Sequence, residues 1–87
     1  MNRRSYTQAD VRRAANKIGG TSKEVEEKTW VSDREIRHLR AGTRSCPPST
    51  YHLLQLVAWI DQAYPYLERG EVVPDRIFWE LKSIMES

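Results

Sequence analysis

The residues best suited to chemistry lie between Thr21 and Gly42, where Asp33, Arg34, Arg37 and His38 share the outer face of one short helical segment. An arginine can donate two parallel hydrogen bonds to O6 and N7 of guanine, and an aspartate can accept from the cytosine amino group. Small hydroxyls, lysine and free helix N-terminal amides suit phosphate oxygens. Asp33 and Arg37 also stand four positions apart with the acid first, which equally suits an ion pair across one turn of a solvated helix. Other chemistries find little support. His38 and His52 have no acid and nucleophile at a recognisable spacing, and Cys46, beside Pro47 and Pro48, has no evident base. There is no phosphate-cradling glycine loop and no Cys/His cluster with zinc spacing, so no enzyme, cofactor or metal site is expected.

The elements that must position these residues read as helices. Val11, Ala14, Ala15 and Ile18 recur at helical spacing, with Thr7 as N-cap, Tyr6 and Val11 as a hydrophobic staple, and Gly19-Gly20 as the stop. Thr21 to Glu24 and Ser32 to Glu35 both carry the capping-box pattern, so two short helices are expected to start eleven residues apart. In the second, Val31 and Ile36 form another staple, Leu39 extends the apolar face, and Gly42 ends the helix. Ser49 is expected to cap a longer helix with a stripe of Leu53, Leu56, Val57, Ile60 and Tyr64, stopped or kinked by Pro65. Residues 66–73 read as a turn or irregular linker. Pro74 then opens a last helix, about 74–86, whose apolar face is Ile77, Phe78, Leu81, Ile84 and Met85. No segment alternates with period two, so the fold class is all-α, with five helices in one domain over residues 1–87. Trp59, Trp79, Tyr64 and Tyr66 fit a core or an interface better than a stacking platform for single strands.

Composition narrows the setting. The chain has 87 residues, near the size at which one core is only marginally stabilising, and its single cysteine excludes an internal disulfide. No apolar run is long enough to span a bilayer, and the amino terminus lacks the apolar stretch of a secretory signal, so the expected compartment is the cytoplasm. Residues 1–44 hold 11 Lys/Arg against 6 Asp/Glu, and residues 45–87 hold 3 against 6, so the front half is net +5 and the back half −3. Such a division suits a cationic surface for a polyanion carried on a body with another task; chance variation of solvated faces is the alternative. Arg3 and Arg4 could reach DNA as an arm, or form an ordinary basic tail.

Residues 21–56 resemble the Cro/C1-type (lambda-repressor-like) helix-turn-helix family of phage and bacterial repressors. The matching features are a capped helix with Val25, the Val31-Ser32 entry, Ile36 and Leu39 inside, Gly42, a basic loop, a proline and a helix with spaced leucines. The resemblance implies a motif over about 21–42 whose second helix enters the major groove. It implies that Ser32, Asp33, Arg34, Arg37 and His38 face base edges, and that Ser22, Lys23, Thr43, Arg44 and Ser45 meet the DNA backbone. It also implies a homodimeric repressor on an inverted repeat, in a bacterial or phage-infected cell, with the last helix as the pairing element through Ile77, Phe78, Leu81, Ile84 and Met85. Where the family usually has a small residue between its motif helices this chain has Glu26, and where it often has a turn glycine this chain has Trp30. Glu26 is therefore expected to turn outward or pair with an arginine, or the turn to be remodelled. The three glutamates Glu24, Glu26 and Glu27 support a rival expectation: a protein-binding inhibitor, anti-activator or antitoxin of a mobile element.

Overall fold

The computed structural model describes residues 6–86; the expected arm of Arg3 and Arg4 lies outside the described residues. It has five helices and, among the described residues, no strand: α1 Gln8–Ile18, α2 Ser22–Thr29, α3 Asp33–Ala41, α4 Pro48–Glu68 and α5 Asp75–Glu86. Three starts follow from side-chain caps. The Thr7 hydroxyl accepts from the Asp10 amide while the Asp10 carboxylate accepts from the Thr7 amide, and Thr21 and Glu24 repeat the pattern. Each box satisfies two backbone donors that a helix start leaves open. At α3 only half of the expected box forms: Ser32 Oγ accepts from the Glu35 amide, but the Glu35 carboxylate pairs with Arg44 instead.

The core is built on α1, whose Val11, Ala14, Ala15 and Ile18 are all buried, as their spacing predicts. Val25 of α2, Ile36 and Leu39 of α3, and Leu54 and Ala58 of α4 close around them. Ala14 and Ala15 of α1 share this core with Ala58 of α4, and small residues let helix axes approach closely. Tyr6 stacks on Tyr51 with ring centroids 4.3 Å apart, and its hydroxyl donates to the Cys46 carbonyl, so the approach to α1 is tied to the start of α4. Lys28 joins three helices, donating to the Ile18 carbonyl at 2.9 Å and to the Asp61 carboxylate at 3.1 Å.

The structure corrects the reading of α4 in three places. The helix begins at Pro48, with Pro47 in the cap position and no side-chain cap, so Ser49 lies inside it; a proline fits the first turn, where its missing N–H has no partner to lose. Pro65 does not stop it. The helix continues to Glu68, so residues 66–68 are helical rather than linker. The stop is made by Gly70 at φ 72°, with the Gly70 amide on the Leu67 carbonyl and the Glu71 amide on the Tyr66 carbonyl, a Schellman closure. The buried face is Leu54, Ala58 and Ala63, whereas Leu53, Ile60 and Tyr64 of the expected stripe are exposed, and Leu56 and Val57 are half-buried. Apolar residues surround this helix almost completely, so their period offers two faces, and contact with α1 selects the one carrying Ala58.

α5 rests on α4. Trp59 donates its indole N–H to the Ile77 carbonyl, and Ile77 is buried within the chain. Leu81 and Ile84 are half-buried, while Phe78 and Met85 are exposed.

Candidate nucleic-acid interface

α2, the turn at residues 30–32 and α3 form the unit that holds the cluster. Thr29, buried, donates its hydroxyl to the Val25 carbonyl at 2.7 Å and accepts from the Val31 amide at 3.2 Å, so it fixes the exit from α2. Trp30 closes α2 in the left-handed conformation that glycine ordinarily takes, with φ at 66°. A bulky side chain is thus placed on a backbone that ordinarily disfavours it. The Trp30 ring is 91% exposed, so its strain is not offset by burial within the chain.

Glu26 is neither turned outward nor paired with arginine. It is half-buried, and its Oε2 accepts from the Asp33 amide at 2.9 Å. The carboxylate thus caps the first turn of α3 from the neighbouring helix, where an anion also meets the positive end of the helix dipole. Sequence spacing concealed this, because the seven intervening residues cross a turn, and capping patterns are read within one helix start.

On α3, Ile36 and Leu39 are buried and helical spacing turns Arg34, Arg37, His38 and Ala41 outward. Arg34 is exposed and makes no ion pair among the described residues. Arg37 pairs with Asp33 at 3.2 Å, as the i, i+4 spacing allows, with the arginine side chain 68% exposed. An exposed pair of this kind is worth about 0–1 kcal/mol, so the guanidinium is readily transferred to a stronger partner. His38 Nδ1 lies 2.8 Å from Thr43 Oγ1, which ties the loop after α3 to its last turn. Arg44 reaches back to Glu35, while Ser45 is exposed.

At the start of α2, Lys23 is exposed and Ser22 half-buried; the Glu24 carboxylate accepts from the Thr21 amide and hydroxyl. The structure thus brings Arg34, Arg37 and His38 together on one face. The Thr43–Ser45 loop follows at the far end of α3. The Ser32 hydroxyl already accepts from the Glu35 amide.

Arg40, which the sequence reading passed over, holds α3 against the end of α1. Its guanidinium donates to the Gly19 carbonyl at 2.7 Å and to Gly20 at 3.4 Å, and its own carbonyl accepts from Gln8 and Arg12. The signal for it was a cation next to the buried face of α3 opposite a glycine pair. Burial raises the Cys46 thiol above its ordinary value, and the Glu35 carboxylate adds to the shift, so the thiol stays protonated at neutral pH.

Among the described residues no group of His, Cys, Asp and Glu could hold a metal ion, and no helix is long and apolar enough to cross a membrane. No protein-family model, curated protein or solved structure matches the chain.

Proposed function

We propose that this chain is a sequence-specific DNA-binding regulator of the Cro/C1 repressor type, acting as a homodimer on a short inverted repeat. The observation that carries the reading is the α2–turn–α3 unit, whose outer α3 face presents Arg34 and Arg37 on a backbone locked by Glu26, Thr29 and Arg40. Rigid presentation matters because a bidentate base contact depends on the placement of both donors. Arg34 and Arg37 read base edges, with His38 beside them. Lys23, Arg44 and the hydroxyls of Thr43 and Ser45 meet phosphates, and their charges supply a salt-dependent share of the affinity. A bound dimer would cover a promoter and so repress it.

The rival reading is a protein-binding inhibitor, anti-activator or antitoxin. The exposed Trp30 favours it, since a large aromatic left almost wholly open to solvent suits an anchor in a protein partner. Glu26 no longer counts toward it, because its carboxylate is engaged at α3. Selection from random duplex DNA, followed by sequencing, separates the two: the regulator enriches an inverted repeat and loses affinity steeply with added salt. An unenriched pool would reject the DNA reading.

A further inference from the structure

A second apolar surface lies away from α3. On α4, Leu53 is 37% exposed, Ile60 54%, Tyr64 56% and Leu67 59%; on α5, Phe78 is 60% and Met85 62% exposed. At 3.6 residues per turn the four α4 residues fall in one stripe roughly 21 Å long, with no charged side chain inside it. The other flanks of α4 are occupied: Leu54 and Ala58 face the α1 core, Asp61 is held by Lys28 of α2, and Trp59 meets α5. On α5, Glu80, Ser83 and Ile84 line a groove against α1. Phe78 and Met85 project from the opposite flank, beside the α4 stripe.

We propose that this α4–α5 surface seats a second copy of the chain, with the two α4 helices antiparallel about a two-fold axis at Ile60. Size supports a second copy. Six large side chains at about half exposure offer on the order of 600 Å² of accessible surface, the upper end of what a lone soluble chain shows. A standard interface takes about 800 Å² from each partner, so the patch with its rim meets that need. Symmetry supports it too. A two-fold at Ile60 sets Ile60 on its own copy, Leu53 on Leu67 and Leu56 on Tyr64, since each pair is centred on position 60. Apolar meets apolar at every layer, which an isologous contact requires.

This pairing deepens the reading of the chain as a dimeric regulator, and it moves the contact from the α5 stripe alone to the joint α4–α5 face. Ile77 drops out because it is buried inside its own chain.

The test uses the full chain. Light scattering across a concentration series is expected to give wild type at twice the 10.2 kDa chain mass, and the Ile60→Lys variant at 10.2 kDa with unchanged helical circular dichroism. In a Cys46→Ser background, the Ile60→Cys variant should cross-link to itself on mild oxidation. The Val72→Cys variant, 90% exposed but outside the patch, should not. Should Ile60→Lys unfold, the cysteine pair decides alone. Wild type at 10.2 kDa up to high micromolar concentration, a dimeric Ile60→Lys variant, or equal cross-linking at both cysteine positions would overturn the proposal. A monomer whose patch instead takes a different protein overturns it as well. Mass needs no DNA, and half-site binding by the Ile60→Lys monomer needs no dimer, so failure of the pairing and failure of the DNA reading are distinguishable.

Discussion

Replacing Glu26 by alanine restores the small residue usual in the resembled family, yet here it should destabilise the chain. The carboxylate accepts from the Asp33 amide at 2.9 Å and stands at the positive end of α3. A hydrogen bond to a charged acceptor contributes about 1.5–3 kcal/mol when well buried, and a cap about 1 kcal/mol when exposed. Glu26 is half-buried, which places the loss at about 1–2 kcal/mol. For a domain of this size each kcal/mol lowers Tm by roughly 4–8 °C, so Glu26→Ala should melt about 5–15 °C below wild type. Glu26→Gln keeps an acceptor and loses the charge, so it should fall between the two. Thermal denaturation by circular dichroism at low salt, with a dilution series to hold association constant, measures all three. If Glu26→Ala melted within about 2 °C of wild type, or above it, the cross-helix cap would have no energetic weight.

Arg34→Ala and Arg37→Ala should each weaken selected-site binding by about 1–3 kcal/mol while leaving the melt unchanged, because the arginines are exposed. Leu39→Ala, on the buried face, should instead cost about 2–5 kcal/mol of stability; fluorescence titration and urea melts read the two effects separately. Trp30→Gly should stabilise the fold by up to about 1 kcal/mol, since relief of a left-handed backbone exceeds the extra chain entropy and almost no burial is lost, so a lower melting point would contradict the strain. The Thr7 amide, more than its hydroxyl or Arg13, holds the Asp10 carboxyl below its ordinary 3.8. Its contribution is therefore complete above that value and lost as pH falls through the lower folded value, so acid titration of Asp10→Asn should show a shallower loss of stability than wild type below pH 3.8.

Local rules carried much of this protein. Spacing alone marked the buried face of α1 and the inward Ile36 and Leu39. The Thr7 and Thr21 caps were legible because their partners lie three residues away within one turn. Gly42 closes α3 at φ 77°, as a glycine after a helical pattern implies. Tertiary structure decided what those rules leave degenerate. α4 is apolar on more than one side, so only its contact with α1 could choose Leu54 and Ala58 for the core and leave Ile60 and Tyr64 outside. Pro65 removes one hydrogen bond near a helix end, a loss that one further helical turn and the Gly70 closure offset. Glu35 had two partners within reach and took Arg44, while Glu26 found the Asp33 amide only because the turn folds α3 back against α2. Helix existence follows from neighbours along the chain. Which face is buried, and where a long polar side chain ends, follows from neighbours in space.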